Sequence, residues 1–451
     1  MKLLCAFLLS LLLSAQDTRN VGEPTIPAAC AVLKATLGRA GNSIDPANEG
    51  KLDTARIQKA LDGCTPGRAV ILQPAGEGLD AFLSGPLELR RGVVLVVDRG
   101  AYLYASRNPR DYDLDSTPGV CGTVTKDGGS RETCKGLING NNVPDAGVMG
   151  DGVIDGRGGE TMLGRQISWW TLASSKHFGE IQNNPKLVLL NHCDNFTLYR
   201  ITLRNSPHFH VYFNGSDGFT AWGVKIWSPQ RASNTDGIDP FSSTNVTIAR
   251  SFIHTGDDQV AIKSLAGAPA SHMSIVHNHF YTGHGMSIGS EVAGGASAIR
   301  VSDLSIDGAD NGLRIKSNIT RGGLVQDIQF EDVCIRNTGN PLFLDTHYTA
   351  IMSPERNRPP TFRDIVFRNV RVEGGGKVVL DGLDAEHRLG VLFDNVWFDD
   401  PSKIRLQASH GEIKTSSFNL AIKGGDITVT DVPGAAAKNA CSEKFVDFPG
   451  K

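Results

Sequence analysis

Residues 245–264 (NVTIARSFIHTGDDQVAIKS), 272–290 (HMSIVHNHFYTGHGMSIGS) and 300–317 (RVSDLSIDGADNGLRIKS) lie over one another with three apolar columns in line. Ile248, Ile275 and Val301 form the first column, Ile253, Phe280 and Ile306 the second, and Ile262, Ile288 and Ile315 the third, each at steps of 26 or 27 residues. Short β-rich pieces alternate with Gly, Asn and Asp turns, and no helical period is sustained. A unit of this kind cannot bury its own apolar face and must stack on its neighbours. The expected fold is therefore all-β, a single-stranded right-handed parallel β-helix. A propeller is the structural rival, but its blades need about 40 residues each.

Weaker copies extend the pattern outward, around Leu198–Leu203 and Ala221–Ile226 upstream and around Ile328–Ile335 and Ile365–Val372 downstream. Near the N-terminus, Asp53 reads as a helix N-cap, Ile57, Ala60 and Leu61 share one helical face, and Gly63 ends the segment. This is the short N-terminal capping helix a solenoid end requires. Residues 1–15, with Lys2 before an apolar run from Leu3 to Leu13 and then Ser14 and Ala15, read as a secretory signal peptide, too short to span a bilayer. Residues 16–451 then read as one catalytic domain, secreted to an extracellular or periplasmic space.

With Cys5 in the signal, seven cysteines remain, so at least one is unpaired. Cys121 and Cys134 would close a short Gly-rich loop, and no spacing resembles a zinc site. No metal or other cofactor is expected. The formal net charge of −3 speaks against nucleic acid as a partner. No segment suggests membrane insertion, and a monomer is expected.

Four motifs fall at corresponding turns of adjacent units: NTDGIDP (residues 234–240), GDD (256–258), GHG (283–285) and RIK (314–316). In the overlay Asp257 stands over His284. Glycosidic hydrolysis needs one protonated carboxyl for the leaving oxygen and one ionised carboxylate for water. Asp257 and Asp258, joined by a third carboxylate from the preceding coil, can supply both states, because adjacent carboxylates push their pKa values apart. Arg314 and Lys316 flank inward Ile315, so both leave the same strand face and offer a carboxylate-binding pair.

Taken in order and at these separations, the four motifs resemble the signature of the polygalacturonase family of glycoside hydrolases, closest to its bacterial branch. The resemblance runs from about Leu83 (LSGPLEL, VVDRGAYLYAS) through GDGVIDGRG near Gly150 to about Tyr348. It implies Asp257 as general acid, Asp236 and Asp258 holding the attacking water, and His284 beside the acid. It further implies Arg314, Lys316 and Tyr348 as galacturonate binders, and His210 stands where the family often keeps a histidine. The implied reaction is inverting, internal cleavage of α-1,4-galacturonosyl bonds in de-esterified pectin, with acid and base about 6.5 to 9.5 Å apart. Gln259 departs from the pattern, where many members carry cysteine.

Several readings compete. A rhamnogalacturonan or xylogalacturonan hydrolase, or an exo-acting polygalacturonase, could share the carboxylates. A pectate lyase would want calcium and a basic group acting as base. A non-catalytic polysaccharide-binding solenoid would not need the acids at all. Asp239 reads as a turn support, and Trp169 and Trp170 as either sugar-stacking or packing residues. Asn195, Asn214, Asn245 and Asn318 each open a glycosylation sequon.

Overall fold

A computed structural model describes residues 16–126, 132–177, 179–348, 357–434 and 441–450; the apolar leader and Cys5 lie outside them. The chain divides into two compact units, one of residues 22–239 with 254–257, the other of residues 1–21, 240–253 and 258–451.

In the unit that holds the repeat, the three columns read from sequence are rungs of parallel strands. Ile248 pairs with Ile275 and Ile275 with Val301; Ile253 with Phe280 and Phe280 with Ile306; Ile262 with Ile288 and Ile288 with Ile315. The first column continues through Phe330, Phe367 and Phe393. Their rings stack at centroid distances of 4.9 and 5.3 Å inside the coils. Each such ring removed from water stabilises the stack by about 2–3 kcal/mol. Successive side chains of a strand face opposite ways, so every inward residue is flanked by outward ones that are free to do chemistry.

The bend that follows the first column is made by Arg250, His277, Asp303, Asp332, Asn369 and Asn395, all with φ between 52 and 60°. Left-handed backbone is tolerated best by Asn and Asp among residues with a side chain. That preference explains why Asn and Asp recur at the coil period.

The other unit repeats the arrangement with shorter strands. Leu198 pairs with Ala221 and Leu203 with Ile226, the upstream copies read from sequence, and Phe196, Phe213 and Phe219 stack in its interior. The expected helix is present as Thr54–Asp62, with Ile57 and Leu61 buried and Ala60 only partly covered. Its ends are made differently from the sequence reading. Asp53 occupies the N-cap position but makes no side-chain cap bond; its carboxylate binds Arg56 and the Leu83 N–H instead. Gly63 closes the helix in right-handed conformation, with no left-handed cap.

A second helix, Trp169–Ser175, has no counterpart in the sequence reading. Both tryptophans are packing residues. Trp169 sits edge-on to Tyr112 in a cluster with Met162 and the Cys121–Cys134 bridge, and Trp170 donates to the Ser206 carbonyl at 2.8 Å. Cys30–Cys64 and Cys334–Cys441 are the other disulfides, and Cys193 is free and buried. No helix among the described residues is long and apolar enough to cross a membrane.

Candidate active site

The NTDG turn is built on buried polar anchors. His210, fully buried, places its Nδ1 3.1 Å from the Asp236 carbonyl and its Nε2 3.0 Å from Ser228 Oγ. Its own backbone N–H donates to the same carbonyl at 2.8 Å. Burial pushes the imidazole down to about 4 against hydrogen bonds that favour its charged form. His210 is thus a neutral positioning histidine that fixes the backbone from which Asp236 projects. Asp236 and Asp239 are both buried.

The GDD turn lies against that anchor. The Gly256 N–H donates to Thr235 Oγ1 at 3.0 Å, and Thr235 in turn donates to the Ala232 carbonyl at 2.7 Å. A Cβ at Gly256 would stand 2.1 Å from the Ala232 oxygen, so the first letter of the motif is required by backbone contact. Asp257 is partly exposed, and its Oδ2 accepts from Asn234 Nδ2 at a long 3.4 Å. Lys176, absent from the sequence reading, reaches Asn234 Oδ1 at 2.7 Å.

Asp258 has the opposite surroundings. It is buried, and Arg314 Nη2, Lys316 Nζ at 2.9 Å and Ser287 Oγ at 2.7 Å all donate to its carboxylate. Arg314 Nε also donates to Ser287 Oγ at 2.9 Å, which orients the fork. Burial alone would raise the Asp258 carboxyl. The Arg314 guanidinium and the Lys316 ammonium outweigh it and hold the group well below the usual carboxylate range. The strands explain the convergence: Ser287 pairs with Arg314 on parallel neighbours, so both face outward one above the other. The two cations expected to bind substrate therefore also neutralise Asp258. Tyr348 joins them, its ring 5.2 Å from Lys316 Nζ. Its backbone N–H donates to Ser317, and Asn318 Nδ2 donates to its carbonyl at 2.9 Å. Asn318 is thereby buried and spent, so that sequon is not open for a glycan.

His284 is held from two directions. Gln259, at the position where the resemblance expects cysteine, accepts from the Gly285 N–H at 2.5 Å and donates to the Tyr281 carbonyl at 2.5 Å. Asp310 donates its backbone N–H to the Gly283 carbonyl at 2.7 Å, while its carboxylate lies 3.0 Å from His284 Nδ1. A Cβ at Gly285, whose φ is +88°, would stand 2.2 Å from the Asn311 oxygen. Gln259 thus does with hydrogen bonds a job of joining adjacent turns.

Within one unit the structure unites Asp258, Arg314, Lys316 and Tyr348 and pairs His284 with Asp310; within the other it ties Asp236 to His210 and Asp257 to Asn234. Sequence reasoning missed Lys176, Ser287 and Asp310. Asp310 and Ser287 had a signal in their register with the motifs, whereas Lys176 follows a helix outside the coil period and had none.

Residues 111–436 match the model of the glycosyl hydrolases family 28. An endo-polygalacturonase of Pectobacterium parmentieri is 42% identical over 384 residues, 85% of this chain and 90% of that protein. A polygalacturonase of Ralstonia nicotianae is 39% identical across 95% of this chain and 92% of its own length. The solved polygalacturonase from Erwinia carotovora ssp. carotovora superposes with a TM-score of 0.80 at 40% identity, covering 88% of this chain and all of that one.

Proposed function

The chain belongs to glycosyl hydrolases family 28, and on that premise we propose that it is an endo-polygalacturonase that cuts α-1,4-galacturonosyl bonds of de-esterified pectin with inversion. The observation that carries the reading is the contrast between two consecutive carboxylates. Asp258 is locked in the ionised state by Arg314 and Lys316, whereas Asp257 is partly exposed beside neutral Asn234. The reaction needs one carboxyl that gives a proton and one carboxylate that stays ionised.

Asp257 gives its proton to the glycosidic oxygen as the bond to the anomeric carbon breaks. Asp258, with Asp236, orients a water and takes its proton as the water oxygen bonds that carbon from the opposite face. His284, implied beside the acid by the family resemblance, is paired with Asp310. Arg314 and Lys316 keep donors to spare after binding Asp258, since a guanidinium carries five and an ammonium three. They, with Tyr348, receive the galacturonate carboxylate beside the bond that is cut. Three disulfides suit an exported enzyme working in an oxidising space.

The test is incubation with de-esterified polygalacturonate, following reducing ends and viscosity together. Rapid thinning with few new ends and no unsaturated product is expected. Steady release of monomer with slow thinning would replace the endo assignment by an exo one, and absence of cleavage would overturn the reading.

A further inference from the structure

Residues 169–177 and 179–182 carry two side chains, Lys176 and Gln182, to Asn234 of the NTDG turn. Ser168 Oγ caps the helix Trp169–Ser175 by accepting from the Thr171 N–H, and the two buried tryptophans fasten its first turn. The helix thus delivers Lys176 from a rigid base. The strand Glu180–Gln182 then pairs antiparallel with Val124–Lys126 and brings back Gln182, which is buried.

Lys176 Nζ donates to Gln182 Oε1 at 2.6 Å and to Asn234 Oδ1 at 2.7 Å. Gln182 Nε2 also donates to Asn234 Oδ1, at 2.9 Å. Among the described residues no carboxylate lies within the 4.0 Å of an ion pair with this ammonium, and its third proton has no acceptor. Burial lowers its pKa, while Asp257 and Asp236 act on it the other way through the field alone. Amide oxygens orient an ammonium without neutralising it, and a partly buried charge without a counter-ion gains most when an anion completes its shell. The anion available beside Asn234 and Asp257 is a uronate of the substrate.

We propose that Lys176 is a substrate-binding residue that takes the carboxylate of a galacturonate unit next to the general acid. This rests on the polygalacturonase reading. A glucose- or galactose-type unit, lacking the carboxylate, would leave the ammonium unpaired, so Lys176 would select for acidic, de-esterified chains.

The test compares Lys176→Met, which keeps the stem and loses the charge, with Lys176→Arg, in otherwise intact protein and in an Asp257→Asn background. Binding of a de-esterified oligogalacturonate to the Asp257→Asn protein is measured by calorimetry, with thermal melting as a fold control. Lys176→Met is expected to weaken binding and raise KM by ~10-fold or more at nearly constant kcat, since the lost contact is made in ground and transition state alike. Lys176→Arg should recover most of that loss, and the gap should close on methyl-esterified substrate. A fall in kcat at constant KM would overturn the proposal and place Lys176 on Asp257 through Asn234. Unchanged binding would overturn it outright. Full turnover by Asp257→Asn alone would instead sink the catalytic assignment, an outcome separable from either result.

Discussion

Asp257 and Asp258 are joined by one peptide bond and live in opposite environments. Asp258 is buried, and Ser287, Arg314 and Lys316 donate to its carboxylate. Asp257 is partly exposed, and its carboxylate accepts from the Asn234 amide at 3.4 Å. The GDD turn lies between the strands Phe252–His254 and Val260–Ser264 and gives its two carboxylates different neighbours. One motif thereby places an acid and a base without needing two separate loops. The lesson is that roles within GDD follow from which neighbouring coil each side chain addresses.

The comparison breaks first at the two asparagine variants. Asp257→Asn should cut kcat by at least ~100-fold, the low end for a general acid, with stability within about 0.5 kcal/mol, as for substitutions outside the core. Asp258→Asn should abolish activity to a similar degree and also destabilise the fold by about 3–5 kcal/mol, because Arg314 and Lys316 are left buried without their counter-charge. Parallel assays and denaturant melts check both. Equal stability of the two variants would show that the cradle around Asp258 contributes nothing to the fold.

A smaller effect sharpens the electrostatic half. The lowered Asp258 carboxyl gives stability that is fully present above the ordinary carboxylate range and lost only as pH falls below it, towards the folded-state value. Lys316→Met removes one of the charges holding it down while burial continues to push it up. The acid limb of kcat/KM should therefore move to higher pH, and affinity for de-esterified substrate should fall by ~10-fold, the cost of one charged contact. A pH–rate profile whose acid limb stays in place would detach Asp258 from the role of base.

Much of this was legible in the sequence, and the particular residues show why. Ile248, Ile275 and Val301 announced their own pairing because an inward column must repeat at the coil length, and the four motifs inherited that register. Asn318 and His210 were ambiguous. Asn318 opened a sequon and His210 matched only a position where the family often keeps a histidine, and only burial with local hydrogen bonds reveals that both hold the fold. GDGVIDGRG belonged to the resemblance, yet Arg157 within it is buried and bonded to Glu49 and Glu160, an ion network that serves the fold. Lys176 was illegible because its helix interrupts the repeat: where the period stops, so does the inference from period to position. Gln259 shows the limit of reading by substitution, since the departure from cysteine is filled by a side chain of different chemistry that still joins two turns.

The finest test concerns His284, which lies between the two extremes as a partly exposed group with one carboxylate partner. A carboxylate oxygen accepts, so the Asp310 contact calls for the proton on His284 Nδ1 and leaves Nε2 for another partner. Asp310 is itself fixed by backbone bonds on both sides, donating to Gly283 and accepting from the Asn340 N–H at 2.9 Å. The coils therefore fix the main chain from which its carboxylate projects to His284 Nδ1. Asp310→Ala should lower kcat by a few-fold to ~10-fold with KM almost unchanged, a fraction of what a proton-transfer group contributes. Nitrogen-15 NMR should show His284 leaving the Nδ1–H tautomer, and Asp310→Asn, whose amide oxygen can still accept, should retain part of both. Loss of activity with the tautomer intact would place the effect elsewhere in the GHG turn, and leave Gln259 as the group that positions the ring.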